Sequence, residues 1–297
     1  MSHIVGTENS VRSKLDQFLA SPYYIITAAL LSLVAHLLSA ELIAYTLLIA
    51  VAVYVGLWGK DLLPLTPLFL FCYILPSAAN NPGRNEASVF SGWRGIWLLC
   101  LGLLLAGSTV CFVIRQRKAF FSARCQLLPG MLVLCGAYLL SGIGSAAYPA
   151  FLGQNLFYCV LQCLCLVLPY WLLSHGVRWD SARKDYLGWI GVCGGVLILL
   201  QLLWCYATGG VIADGAIVRT QIFTGWGMYN NMGAMLGMML PFVFSLGLSH
   251  KKEWLGLLGG ILLLGGIFLT CSRASILAGG LIFCVCLGLM VYYSQNR

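Results

Sequence analysis

The chain consists of a succession of apolar runs, most of them long enough to cross a lipid bilayer as a helix. A hydrocarbon core of about 30 Å is crossed by about 20 helical residues, and a helix satisfies its own backbone hydrogen bonds there. Ten such runs are separated by polar segments: 22–40, 42–58, 62–76, 93–114, 127–145, 150–173, 186–207, 229–249, 254–271 and 274–293. The predicted fold class is therefore all-α, a polytopic integral membrane protein with about ten transmembrane helices.

The composition supports membrane insertion over a soluble fold. Of the 297 residues, 60% are hydrophobic and 9% are charged, whereas about a quarter of an ordinary soluble domain is charged. The net charge of +8 mostly reflects cations on the inner side, and it favours contact with anionic inner-leaflet lipid. Membrane lipids are therefore expected partners and nucleic acid is not.

The placement of Lys and Arg predicts the orientation in the membrane. With the N-terminus in the cytoplasm, thirteen of the seventeen cationic residues fall on the inner side, as the positive-inside rule requires. The other four are all Arg and lie outside: Arg84, Arg94, Arg219 and Arg273. Because the planar guanidinium can donate two parallel hydrogen bonds to a phosphate, an outer phosphate-binding site is predicted.

The same topology predicts the domain organisation. Residues 1–21 form a polar cytoplasmic tail without a cleavable signal peptide, 22–293 form one membrane domain, and 294–297 are the C-terminal end, also inside. The thirteen Cys lie mostly in apolar runs and are interpreted as packing residues, without metal-ligand spacing. No metal or cofactor is expected. Small residues four apart predict close helix contacts at Gly191/Gly195, Gly233/Gly237, Gly256/Gly260 and Ser275/Gly279.

Two outer segments carry the residues best suited to chemistry. Arg273 lies in Thr-Cys-Ser-Arg-Ala-Ser at 270–275, a minimal turn between two apolar runs that starts a helix. The N–H groups at a helix start favour an anion, although an Arg that reaches lipid headgroups is an equally good interpretation of the spacing. The other segment, 208–230, contains Arg219 and Tyr229, and its aromatic residues are also typical of interface anchors.

These two segments resemble the signature of the O-antigen ligase and polymerase family. Thr-Cys-Ser-Arg-Ala-Ser at 270–275 is similar to the family's Ser-Arg-Gly/Ala motif. Upstream, Arg219-Thr-Gln-Ile-Phe-Thr-Gly, then Asn230-Asn231-Met-Gly-Ala and a run that ends near Pro241, is similar to the family's Arg…Gly…Asn-x-x-Ala…Pro block. The resemblance covers residues 215–290, and the earlier runs match only in being hydrophobic.

The resemblance implies a metal-independent glycosyltransferase with a helical membrane fold of the GT-C-like type. Its donor is a glycan linked to undecaprenyl diphosphate at the outer leaflet of the bacterial inner membrane, and its acceptor is a lipid or another glycan. By this resemblance, Arg219 and Arg273 bind the diphosphate and stabilise the charge that grows on it as it leaves. Asn231 and Ser272 are further candidate substrate-binding residues, and Arg84, in the outer loop at 77–92, is added to them.

One departure from the family pattern concerns the acceptor side. The family has two further spans and a large outer loop with a His after the Ser-Arg turn, and these do not follow residue 293 here. Since general-base catalysis contributes about a hundred- to ten-thousandfold in rate, the chain is interpreted as a truncated transferase or as a half that needs a partner chain. The outer residues that could replace the His are Glu86, Asp214 and His36.

Two other functions stay open at this point. One is a non-catalytic membrane subunit that binds a lipid-diphosphate glycan, and the other is a transporter of glycolipids or small molecules. A transporter is less favoured because ion-coupled transporters usually have ionisable groups at mid-membrane, and none of the ten runs has one at its centre.

Overall fold

The part of the chain that the structure describes is almost entirely α-helical. A computed structural model describes residues 12–38, 40–72, 92–120, 126–144, 149–177, 181–208, 210–213, 215–224, 227–250 and 252–295. The helices are α1 (Arg12–Leu19), α2 (Pro22–Leu37), α3 (Glu41–Trp58), α4 (Leu65–Cys72), α5 (Gly92–Arg115), α6 (Arg117–Phe120), α7 (Leu128–Gly144), α8 (Pro149–Gly176), α9 (Ser181–Thr208), α10 (Tyr229–Ser249), α11 (Glu253–Leu269) and α12 (Arg273–Gln295). This agrees with the predicted all-α class.

Among the described residues, five helices are long and apolar enough to cross a membrane. They cover Gly95–Arg115, Asn155–Gly176, Asp185–Thr208, Tyr229–Ser249 and Arg273–Gln295. A sixth candidate is the pair Arg12–Leu19 and Pro22–Ala35, which is bent by 72°. Three further helices are apolar but shorter: Leu42–Trp58, Leu128–Gly144 and Glu253–Leu269. These helices indicate a membrane-associated protein, while the ten spans and their orientation stay a prediction.

Two short antiparallel strand pairs interrupt the helical pattern between α9 and α10. In the first, β1 (Ile212–Ala213) pairs with β2 (Ala216–Ile217), and in the second, β3 (Phe223–Thr224) pairs with β4 (Gly227–Met228). Gly215, directly before β2, has a φ of 76°, which glycine adopts without steric cost in a tight hairpin. A 3-10 helix, Arg219–Gln221, lies between the two pairs. The sequence predicted only a loop here.

The chain divides into two compact units. One comprises Met1–Val53, Pro64–Ala106 and Trp179–Arg297, and the other comprises Tyr54–Leu63 and Gly107–Arg178. In the second unit α7 packs against α8, and the guanidinium of Arg115 donates to the backbone oxygens of Val55, at 3.0 Å, and Gly59, at 2.5 Å. Both motif segments belong to the first unit.

Glycines bring the last four helices of the first unit into close contact. A Cβ at Gly191 of α9 would lie 2.5 Å from the Phe242 Cβ of α10, and a Cβ at Gly247 of α10 would lie 2.7 Å from the Gly256 Cα of α11. Small residues allow this approach between helices in lipid, where no hydrophobic force drives them together. The interior of this bundle includes buried aliphatic and Met side chains: Ile198, Leu202, Met232, Leu236, Leu240, Leu263 and Ile267.

The pairing of these glycines shows how the four helices run. Along α10, successively later residues approach earlier residues of α9 and α11, so α10 is antiparallel to both. Gly233 faces Ser275 and Gly237 faces Ile282, so α10 and α12 are parallel. The last turns of α9 and α11 and the first turns of α10 and α12 therefore lie at the same end of the bundle, which we call the site end.

Candidate functional site

The two motif segments meet at the site end. The hydroxyl of Ser275, in the first turn of α12, donates to the backbone oxygen of Asn230 at the start of α10, at 3.4 Å. One turn further into α10, a Cβ on Gly233 would lie 2.5 Å from the Ser275 Oγ and 3.0 Å from the Thr270 Oγ1. The helix starts of α10 and α12 are therefore side by side, and Gly233 permits the contact because it has no side chain.

The arrangement brings positive charge to the site end. A helix N-terminus carries about half a positive charge, and its first N–H groups have no partner within the helix. Two such ends are adjacent here, and the exposed side chains of Arg219 and Arg273 add two full charges. Within 205–231 and 269–276, the residues that the structure describes include no Asp or Glu. This is a favourable environment for an anionic group such as a phosphate.

The turn that precedes Arg273 is held by hydroxyl groups. Thr270 Oγ1 donates to Ile267 O at 2.7 Å, and the hydroxyl oxygens of Ser272 and Ser275 lie 2.8 Å apart, within hydrogen-bond distance. The Ser272 Oγ also accepts from the Ser275 N–H at 3.4 Å, which is the geometry of a helix N-cap. Thr270, Ser272 and Ser275 are all buried, whereas Arg273, the first residue of α12, is exposed. The buried hydroxyls form the turn, and Arg273 is presented from it.

We expect Ser272→Ala to lower the free energy of unfolding by about 1 kcal/mol, because Ala removes the cap of α12. Ser272→Gly is the matched control: it removes the same hydroxyl, but Gly is well tolerated at an N-cap and costs only about a few tenths of a kcal/mol. Thermal unfolding of the purified protein in detergent would compare the two. Equal losses would show that the cap does not account for the contribution of Ser272.

Arg219 contacts an aromatic ring from the neighbouring helix. It is the first residue of the 3-10 helix, and its guanidinium carbon lies 5.6 Å from the ring centroid of Tyr229, the first residue of α10. This distance is within the range of a cation–π interaction. Tyr229, which the sequence also allowed as an interface anchor, thus restricts the side chain of Arg219. Asn231 is exposed in the same first turn of α10.

The last turn of α9 contacts both motif segments. The Cys205 thiol donates to the backbone oxygen of Gln221 at 3.3 Å. The Tyr206 hydroxyl donates to the backbone oxygen of Leu269 at 2.6 Å and lies 3.9 Å from the Cys271 sulfur. Neither residue was predicted as a site residue, because both lie in the apolar run 186–207, where a Cys is interpreted as a packing residue.

Gln201 is an unpaired polar side chain in α9, one turn before the last turn of that helix. It lies one helical turn before Cys205 and so on the same face of α9. The side chain is buried, and neither of its amide atoms has a hydrogen-bond partner among the described residues. Because an unpaired buried polar group costs about 1–3 kcal/mol, this amide is suited to hold a water molecule or a polar atom of a ligand.

Five predicted residues have side chains outside the described part of the structure. Arg84, Glu86 and Asp214 lie outside the described residues, and of His36 and Arg94 only the backbone is described, in α2 and α5. Among the described residues there is no group of three His, Cys, Asp or Glu that could hold a metal ion. The candidate site is therefore made of Arg219, Arg273 and the two helix starts.

No protein-family model, no curated protein and no solved structure matches this chain. The resemblance of residues 215–290 therefore depends on the two motif segments themselves, and the geometry of the site end is the independent observation beside it.

Proposed function

We propose that this chain is an O-antigen ligase-like glycosyltransferase. It handles a glycan linked to undecaprenyl diphosphate at the outer face of the bacterial inner membrane, in the ligation or polymerisation of cell-surface polysaccharide. One observation supports this proposal above the others: segments at 219–231 and 270–275, which resemble the family's two motifs, meet at one end of one helix bundle.

The charges at the site end suit a diphosphate better than a neutral substrate. A diphosphate presents two adjacent anionic groups, and the site end offers two helix starts and two Arg side chains. Arg has the advantage over Lys that its fork can donate two parallel hydrogen bonds to one phosphate. The neighbouring apolar helices suit the polyprenyl chain of such a donor.

The proposed reaction is a substitution at the anomeric carbon of the donor glycan. An oxygen of the acceptor hydroxyl forms the new glycosidic bond, while the bond from that carbon to the diphosphate oxygen breaks. The electron pair of the broken bond leaves with the lipid diphosphate, and the hydroxyl proton passes to water or to a general base. Arg219 and Arg273 would stabilise the charge that develops on the leaving diphosphate, which is electrostatic stabilisation of the transition state.

The test measures binding and transfer with the full chain in lipid nanodiscs. We expect saturable binding of undecaprenyl diphosphate, weakened about tenfold by Arg219→Lys and by Arg273→Lys, because Lys keeps the charge but loses the bidentate geometry. Arg117→Lys is the matched control, since Arg117 is exposed in α6 of the other unit, and its binding should equal that of the unchanged protein.

Each outcome identifies a different function. Transfer of the glycan to an acceptor, lost in the Arg variants, would support the transferase. Arg-dependent binding without transfer would favour a non-catalytic subunit that binds the lipid-diphosphate glycan. If the protein without substitutions does not bind the diphosphate lipid, the proposal is contradicted and a transporter is favoured.

A further inference from the structure

We infer that the last turn of α9 sets the distance between Arg219 and Arg273. Tyr206 is the positioning residue for the segment that carries Arg273, and Cys205 is the positioning residue for the segment that carries Arg219. This inference rests on the proposed function, because it concerns how two Arg side chains share one diphosphate.

The hydrogen bond from Tyr206 determines where α11 ends. Leu269 is the last residue of α11, and the last carbonyl groups of a helix have no N–H partner within it. The Tyr206 hydroxyl supplies that partner at 2.6 Å, and the Cys271 thiol is a second, longer donor to the same oxygen at 3.8 Å. Because Arg273 follows Leu269 by only four residues, a shift of the Leu269 carbonyl moves the start of α12 and the Arg273 Cα with it.

The turn after Leu269 needs such a restraint. Cys271 has a φ of 54°, a left-handed conformation that is unfavourable for residues other than Gly. The Tyr206 oxygen lies 3.9 Å from the Cys271 sulfur, so the phenol contacts both the end of α11 and the strained residue. Without the Tyr206 hydroxyl, the turn loses one of its restraints and can shift toward ordinary backbone angles, which changes the position of Arg273.

Cys205 makes the equivalent contact to the other segment. Its thiol donates to the backbone oxygen of Gln221, the last residue of the 3-10 helix that begins with Arg219. The next residue, Ile222, is fully buried, so this end of the segment is also fixed by packing. Since Cys205 and Tyr206 are consecutive in one helix, both Arg-bearing segments are hydrogen-bonded to the same rigid turn.

This arrangement predicts that losing either hydrogen bond affects some ligands more than others. Neither the Cys205 thiol nor the Tyr206 hydroxyl is directed at an outside ligand, because each donates to a backbone oxygen. Their loss should therefore impair a ligand that needs both Arg side chains at a set spacing. A ligand that needs only one of them should be affected much less.

The experiment compares two lipids, undecaprenyl diphosphate and undecaprenyl monophosphate, with the full chain in nanodiscs. We expect Tyr206→Phe to weaken binding of the diphosphate by about five- to tenfold, the effect of one lost hydrogen bond, and of the monophosphate by less than about twofold. Tyr158→Phe is the control, because Tyr158 is an exposed residue of α8, and neither affinity should change.

A double-mutant cycle separates positioning from a general loss of stability. In an Arg273→Ala background, Tyr206→Phe should have no further effect on diphosphate binding, since it acts through Arg273. At the other segment, Cys205→Ala should reproduce the selective loss and Cys205→Ser, which keeps a donor, should restore binding.

The outcomes distinguish this inference from the proposed function. Equal losses for the two lipids, additive effects in the cycle, or full diphosphate affinity in Tyr206→Phe would overturn the positioning role while leaving the proposed function intact. An unchanged protein that binds neither lipid would overturn the proposed function and the positioning role together.

Discussion

Replacing Arg273 by Ala is expected to weaken the binding of undecaprenyl diphosphate by about 10- to 100-fold. The reason is that a hydrogen bond to a charged group contributes about 1.5–3 kcal/mol, and each 1.4 kcal/mol is about a factor of ten in affinity. Arg219→Ala should have an effect of similar size. The loss should exceed that of the Lys variants, because Ala removes the charge as well as the fork. Binding to nanodiscs, measured by the displacement of labelled lipid, gives the affinities.

The ionic-strength dependence provides a second measurement of the same interaction. Since the attraction between Arg and phosphate is screened by salt, binding to the unchanged protein should weaken as salt is raised, and binding to Arg219→Ala/Arg273→Ala should depend on salt less. Arg117→Ala, again in α6 of the other unit, should keep the full salt dependence. A double variant that binds as tightly as the unchanged protein would contradict the assignment of both Arg residues.

Gly233→Ala is expected to destabilise the first unit by about 1–3 kcal/mol, the usual effect of overpacking. A Cβ at this position would lie 2.5 Å from both the Cβ and the Oγ of Ser275, so α10 and α12 must separate or the Thr270–Ser275 turn must shift. Because the affected helix starts form the candidate site, diphosphate binding should fall together with stability. Thermal unfolding in detergent and lipid binding are the two measurements.

Gly237→Ala is the matched control for this prediction. Gly237 lies one turn further along α10, and the nearest atom to its Cβ would be Ile282 Cδ1 at 3.9 Å, an ordinary contact distance. Ala should be tolerated there and is expected to add up to about 1 kcal/mol of stability through its higher helix propensity. If the two variants lose stability equally, the close contact between Gly233 and Ser275 is not the cause.

The helices of the bundle were predictable because their signal is local. The run predicted at 229–249 is α10, Tyr229–Ser249, and the runs predicted at 254–271 and 274–293 match α11 and α12 within two residues. An apolar run bounded by polar residues identifies a helix without knowledge of its neighbours. The tail was less predictable: 12–19 is helical, and Leu19 is buried and accepts a hydrogen bond from Tyr186, a contact with a residue 167 positions away.

Some residues of the candidate site could be predicted from the sequence and others could not. Arg219 and Arg273 could be selected by type and position, because two Arg beside helix starts suit an anion. Asn231 and Ser272 were candidates only through the resemblance of their motifs to the family's. The sequence had no signal for Cys205 and Tyr206, whose partners are backbone oxygens of distant segments. A hydrogen bond to a backbone carbonyl requires no particular residue type in the partner, so no sequence pattern records it.

The sequence by itself determined that the chain forms apolar helices, since hydropathy is a property of short runs of residues, and it predicted an orientation in which four Arg stand apart from the other cations. Only the tertiary structure decided that α10 and α12 start side by side and that α9 contacts both motif segments. Those features depend on which glycine faces which neighbour, and such contacts between residues far apart in the chain are made only when the helices pack.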